Sequence, residues 1–455
     1  MLGRSPTLSS IHRLLVYILV VATPWSIYPL IETDSRGVKP FVVVAAVVAF
    51  VGGVRILQRD TALRLNVVTK SVLVFYAIAV SSLIGFTMSG GGWADLIGYG
   101  TLFMQLCVFV ALILSVSLLD FDKPHIHHVV YICLGVSVLV GVYAIYQSLA
   151  RINQWPFAYL EIYNPSFGMR EGQGGGEFGG FIRPSATFTE PSRLGQFLLT
   201  PTLVSGFLFM SSPRERKRGY FLVLFILLGS GFTLAFSMGA YIAMAAALGS
   251  ALFIKGVRRY SGRLVLGWIG AIGLLSVVAY PILGFPLPEM IAERTAAHLH
   301  AFGIADTIGQ GPFASNSVTT RLLRAKAGLQ VWLENPILGV GLNNFGRLFP
   351  AGVAPRIHSA LVQSLAEMGM LGGIGFFVLA FVPPVKLLHV SRQIGGWEKG
   401  AFLGVGLGLL GRAVWMIVAG NYILEFFWLD MTLATILLSY NSSVERRRAQ
   451  MTRGA

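Results

Sequence analysis

Cysteine is nearly missing from this chain: two residues in 455, Cys107 and Cys133, both inside apolar runs. In that setting neither faces an oxidising solvent, so a disulfide framework or a thiol-held metal does not organise the fold. Charge is also scarce, at 12% of residues, and it leans one way, with 35 Lys and Arg against 20 Asp and Glu. No Gly-x-x-x-x-Gly-Lys-Ser/Thr loop occurs, so the chain is not its own ATP motor. No repeat of solenoid type is evident. Hydrophobic residues make up 55% of the chain and the mean hydropathy is +0.70, far too apolar for a soluble protein and too long for a single span. The formal net charge of +15 then reports orientation first, because cytoplasmic connectors of membrane proteins retain Lys and Arg. Nucleic acid is not an implied partner.

The short basic start, with Arg4, His12 and Arg13, leads into an apolar run at 14–31 that lacks a small-x-small cleavage site and reads as a retained span. Further runs of spanning length lie near 40–57, 71–88, 98–119, 129–149, 194–210, 219–236, 239–254, 264–282, 363–385, 400–420 and 422–440. The pattern predicts an all-α polytopic protein of about twelve transmembrane helices. Basic residues cluster after even-numbered spans, among them Arg55, Arg59, Arg64 and Lys70, then Arg214, Arg216, Lys217 and Arg218, and Arg446–Arg448 at the end. Both termini are therefore expected in the cytoplasm. The predicted organisation is five spans in 1–149, a long outer loop at 150–193, four spans in 194–282, a larger outer loop at 283–362, and three spans with a basic tail in 363–455. Chemistry is expected in the two long loops, where a rigid scaffold presents variable segments.

Within the spans, Arg412 and Asp430 fall at similar depth on adjacent antiparallel helices and are expected to pair, because an unpaired charge there costs on the order of 2.5–3.5 kcal/mol. Gly404 and Gly408 permit close helix packing. Asp120, Asp122, His125, His127 and His128 resemble a metal-ligand cluster, yet they sit at the opposite end from the long loops and read better as a solvated connector, so no metal site is assigned. The run Gln173–Gly180 is too rich in glycine to form a regular element cheaply and reads as a flexible loop.

The outer loops carry the distinctive residues. Arg183 and Glu190 close the first one, and Pro191 suits the first turn of the helix that follows. Arg183 is a candidate phosphate ligand, whereas Arg193 reads as an interfacial anchor. In the second loop Arg321 and Arg324, three apart among apolar residues, present two guanidiniums on one face of an interfacial helix, suited to lipid headgroups or to a diphosphate. Asn335-Pro336 stops that helix, and Gly339 and Gly341 allow tight backbone geometry. Arg356 flanks His358, and Ser359 caps the next helix. His358 therefore stands at a positive helix end, which leaves a neutral imidazole available as a base. The stretch from Arg321 to Gly373 reads as the active-site loop of a membrane enzyme.

Asn335-Pro-Ile-Leu-Gly-Val-Gly-Leu-Asn-Asn-Phe345, with Arg321 fifteen positions before the proline, followed by His358-Ser-Ala-Leu-Val-Gln-Ser-Leu-Ala-Glu367-Met-Gly369-Met-Leu-Gly372, resembles the signature of the O-antigen ligase and polymerase superfamily. That resemblance implies an inner-membrane enzyme working at the periplasmic face. Its donor is a glycan on undecaprenyl pyrophosphate and its acceptor a glycan or lipid A-core hydroxyl. It works within the membrane lipid, beside other polysaccharide assembly proteins, with no nucleotide sugar, cofactor or obligatory metal. His358 matches the family's essential histidine and Arg321 its loop arginine; Arg183, Arg324, Arg356 and Glu190 are the candidate ligands of pyrophosphate and glycan. One departure stands out. Members often carry Ser-Arg-Gly where this chain reads Ser237-Met238-Gly239, so Arg183 or Arg324 is expected to compensate. Glu190-Pro191-Ser192 resembles polymerases more than ligases. The competing class is a secondary transporter or lipid flippase, for which no broken pair of helices in matching halves is visible.

Overall fold

The computed structural model describes residues 6–25, 31–32, 37–58, 63, 65–164, 169–172, 177–178, 181–212, 215–254, 257–258, 262–270, 315–348 and 357–454. The helices in chain order are α1 (Pro6–Ala22), α2 (Pro40–Leu57), α3 (Val67–Met88), α4 (Trp93–Ser117), α5 (Lys123–Asn153), α6 (Pro191–Ser211), α7 (Glu215–Leu234), α8 (Met238–Leu252), α9 (Ser315–Glu334), α10 (Ala360–Ser391), α11 (Gly396–Val418) and α12 (Glu425–Gly454). Three short antiparallel ribbons accompany them: β1 (Ile31–Glu32) with β2 (Gly37–Val38), β3 (Glu161–Asn164) with β4 (Met169–Gly172), and β5 (Glu177–Phe178) with β6 (Phe181–Ile182).

Among the described residues, nine helices are long and apolar enough to cross a membrane: Leu8–Trp25, α2, α3, α4 from Asp95, α5, α6, α7 from Lys217, α10 and α11. The chain is a multi-pass membrane protein whose described residues are predominantly helical. Of the twelve runs expected, 239–254 forms only the 15-residue α8. The run at 264–282 is helical to 270 and then leaves the described residues. The run at 422–440 is helical as α12, but Asp430, Thr432, Thr435 and Ser439 dilute its apolar character. The first span also begins earlier than expected, at Pro6, and gives way to a single 3-10 turn at Thr23–Trp25 that contains Pro24. The glycine-rich run is not wholly irregular, since Glu177 and Phe178 pair with Ile182 and Phe181.

Local chemistry sets the helix starts. Asn66 accepts the backbone N–H of Thr69, Asp122 that of His125 and Ser359 that of Val362, each supplying an acceptor to an amide that the first turn cannot satisfy. Pro191 occupies the first turn of α6 as expected. α6 and α11 are the most enclosed spans, 83% and 78% buried, and they pack on each other. Contact is close because an added Cβ on Gly404 would strike Val204 and one on Gly408 would strike Thr200. Between them lies the buried pair Arg412 and Asp430, 2.8 Å apart, with the Thr200 hydroxyl donating to the same carboxylate at 2.7 Å and Phe426 stacked under the guanidinium at 5.0 Å.

The polar contacts sort into two ends. At one, Arg13 meets His125 at 3.1 Å, Arg55 meets the buried His12 at 3.2 Å, and Lys123 pairs with Glu398 at 2.6 Å. Asp122 and His125 are thus engaged with each other and with Arg13, and His127 lies against Trp397 with 4.0 Å between ring centres, so these residues tie connectors together. At the opposite end the loops after α3, α5, α7, α9 and α11 converge, and the candidate residues lie there.

Candidate functional site

The floor of this end is the loop that follows α9. Asn335 and Pro336 end that helix, as the residue before a proline favours extended backbone. The loop then enters a groove between α3 and α10. Val340 N–H donates to Ala366 O at 3.0 Å, Gly341 N–H to Glu367 O at 2.9 Å, and Met370 N–H to Pro336 O at 2.7 Å. These bonds require α10 to open. It does so at Gly369, with φ 67° and ψ −160°, a conformation essentially confined to glycine. Gly339 (φ 65°) and Gly341 (φ 92°) are also left-handed; a Cβ on the first would collide with the Glu367 backbone, and one on the second with Phe86 at 2.5 Å. The glycines of the motif are therefore there to let three backbones meet. Asn344 completes the seal by donating to Val340 O at 2.8 Å and to the Ser89 hydroxyl at 3.2 Å.

Glu367 is buried beneath this loop, where Tyr422 donates to it at 2.7 Å and Gln363 at 3.1 Å. Tyr422 lies between α11 and α12, and its hydroxyl is pushed well upward, first by burial and then by the adjacent carboxylate. Nothing in the order of the residues links positions 55 apart, so this pair was not legible beforehand.

His358 precedes α10. Its neighbour Ser359 accepts from Val362 N–H at 3.2 Å and donates to the Ile417 carbonyl at 2.5 Å, tying the start of α10 to the end of α11. The half-buried Arg324 on α9 donates from Nη1 to His358 Nε2 at 2.5 Å. Arg321 is exposed as a whole residue, yet enough protein surrounds its head to shift it: desolvation lowers its pKa, the Glu190 carboxylate opposes that, and Arg324 adds to it. Arginine stays cationic all the same. Glu190 also accepts from the Ser192 hydroxyl at 2.9 Å. The structure thus gathers Arg321, Arg324, His358 and Glu190. Arg356 lies outside the described residues.

Arg183 is engaged with the turn between α7 and α8, donating to Phe236 O at 3.3 Å. Its segment is pinned by α5: the Gln147 side-chain oxygen accepts from Ser185 and Ala186 N–H, both at 2.8 Å, and the buried Arg151 donates to the Arg183 carbonyl. Gln147 and Arg151 carried no signal in sequence beyond being polar at the end of an apolar run. The turn reached by Arg183 runs directly into Ser237-Met238-Gly239. Gly239 packs on Trp415, and the start of α6 at Gly195 faces Ser237 and Ala240. Steps of packing therefore lead from this turn through Trp415 and Ile417 to Ser359 and His358.

A bundle of apolar helices, with a histidine at the start of α10 meeting an arginine of α9 beside a loop docked by its backbone, defines the class as a multi-pass membrane protein with a cationic polar cluster at one end. A family model described as O-antigen ligase matches residues 192–377. That segment is similar to the O-antigen ligase family over rather less than half of the chain, a likeness that supports a place in the O-antigen ligase and polymerase superfamily. The matched residues include Arg321, Arg324, His358 and Glu367 and leave out Arg183 and Glu190. No curated protein matches the chain.

Proposed function

We propose that the protein is a glycosyltransferase of the bacterial inner membrane that transfers a glycan from undecaprenyl pyrophosphate to an acceptor hydroxyl at the periplasmic face, polymerising O-antigen or exopolysaccharide repeat units. The observation that carries this reading is the meeting of His358 with Arg324, beside Arg321, at the start of α10. The acceptor oxygen attacks the anomeric carbon as the bond from that carbon to the pyrophosphate oxygen breaks. His358 takes the acceptor proton, a contribution worth typically ~10² to 10⁴ in rate. Undecaprenyl pyrophosphate leaves with the bonding electrons, its charge met by Arg321 and, with Arg183 beside the position where relatives carry an arginine, by a second cation. The arginines supply the positive charge, so the scheme requires no metal, and attack opposite the leaving group inverts the anomeric centre.

In this reading the chain crosses the membrane about twelve times with both termini in the cytoplasm. Residues 150–193 and 283–362 form the outer loops between the helical blocks 1–149, 194–282 and 363–455. Arg13, Arg55, Lys123, Arg392, Lys399 and Arg446 lie at the end away from His358, which agrees with a cytoplasmic placement of that end.

Transfer of finished polymer to lipid A-core is the second reading, favoured by the description of the matching family, whereas Glu190-Pro191-Ser192 favours the polymerase. Purified protein in proteoliposomes, given the lipid-linked donor with and without lipid A-core, separates them. A ladder from donor alone that vanishes with His358→Ala is the expected result. Product only when lipid A-core is present selects the ligase, and solute flux without any His358-dependent product returns the chain to the transporters.

A further inference from the structure

A guanidinium has no lone pair, so in the 2.5 Å contact between Arg324 Nη1 and His358 Nε2 the arginine donates and the imidazole accepts. A neutral imidazole that accepts at Nε2 carries its proton on Nδ1. While this contact stands, neither ring nitrogen can take a proton from a hydroxyl, and the base is latent. Arg324 for its part is incompletely satisfied: its Nε is buried and has no hydrogen-bond partner among the described residues. Arg321 lies one helical turn earlier, near enough to act on it electrostatically. Two guanidiniums, one with a buried donor lacking an acceptor, form a seat for a multiply charged anion. The bond to imidazole is charged on the donor side alone, whereas a phosphate offers the guanidinium an anionic partner and two oxygens for bidentate hydrogen bonds.

We propose that Arg324 is a gate on His358, capping Nε2 until a pyrophosphate group draws the guanidinium onto itself, so that the base opens only in the donor-loaded protein. The catalytic consequence rests on the glycosyltransferase reading; the capping itself does not. Arg324 acts here through His358, as a positioning residue. A latent base also keeps the site from activating a hydroxyl when no glycan is present to receive it.

The test is chemical labelling of His358 by diethyl pyrocarbonate, read by peptide mass spectrometry on the full-length protein in nanodiscs, with and without millimolar inorganic pyrophosphate. In the wild type, labelling rises several-fold with pyrophosphate; in Arg324→Gln it is high from the start and pyrophosphate adds nothing. Equal or lower labelling of the wild type with pyrophosphate overturns the gate, and that arm needs no variant to fold. Transfer assayed on the same preparations separates the two ideas. Pyrophosphate-dependent labelling without transfer keeps the gate and sinks the enzyme reading, while transfer with unresponsive labelling does the reverse. In Arg324→Gln the acid limb of the pH–rate profile moves to higher pH, because a cation that disfavours imidazolium is gone. An unmoved limb reduces Arg324 to packing.

Discussion

At Tyr422 and Glu367 two buried polar groups, one from the connector after α11 and one from α10, satisfy each other at 2.7 Å. Tyr422→Phe removes the donor and leaves a carboxylate oxygen buried without it, a loss of about 1–3 kcal/mol. Thermal unfolding of the detergent-solubilised variant should fall accordingly, and an unchanged midpoint would show the contact to be idle. Arg321 makes a different kind of claim, since its planar fork can grip two phosphate oxygens where a lysine offers a point charge. Arg321→Lys is expected to lower transfer by about 10- to 100-fold, the equivalent of one charged hydrogen bond, while leaving the protein inserted. Full activity in the lysine variant would mean that charge alone suffices there.

The elements that matter most to the site are α10 and the loop docked against it. A helix interrupted at Gly369 can receive the backbone of residues 336–341, and a continuous helix cannot, because its own i to i−4 bonds occupy the same amides. Gly369→Ala forces a side chain into a glycine-only region and is expected to cost about 1–3 kcal/mol from backbone strain alone. The loop should then open, so limited proteolysis between α9 and α10 should quicken at the same time as transfer fails. Proteolysis at the wild-type rate would dissociate the kink from loop docking. The sequence pointed to Asn335-Pro336 as a stop and to Gly339 and Gly341 as tight positions, because those residue types change the allowed backbone by themselves. It did not point to Gly369 as their counterpart, since a glycine inside an apolar run looks the same whether it kinks a helix or packs one.

Across the whole molecule, the pair Arg412 and Asp430 joins α11 to α12, with Thr200 of α6 bonded to the same carboxylate. Asp430→Ala leaves a buried guanidinium uncompensated and is expected to cost about 3–5 kcal/mol, whereas replacing both partners with apolar residues of similar size restores much of that. Equal unfolding midpoints for the single and double variants would contradict the pairing argument. The sidedness of the fold can be tested too. With Cys107 and Cys133 replaced by serine, a cysteine at the exposed Gln154 should react with a membrane-impermeant maleimide in intact spheroplasts, and one at the exposed Gln393 only after permeabilisation. The opposite pattern would invert the proposed topology.

Composition and periodicity alone determined that this chain lives in a membrane as a set of helices. Apolar runs of bilayer length have one stable backbone solution in lipid, the hydrogen-bonded helix. The same reading singled out His358, Arg321 and Arg324, because polar residues outside spans and next to helix-terminating residues stand out against an apolar background. Only the tertiary structure decided that Arg324 rather than Arg321 touches the histidine, that Arg183 reaches the turn before Met238, and that Tyr422 serves Glu367. Such pairings join helices distant in the chain, and their partners are chosen by how whole helices cross and pack, a geometry to which no single stretch of residues has access.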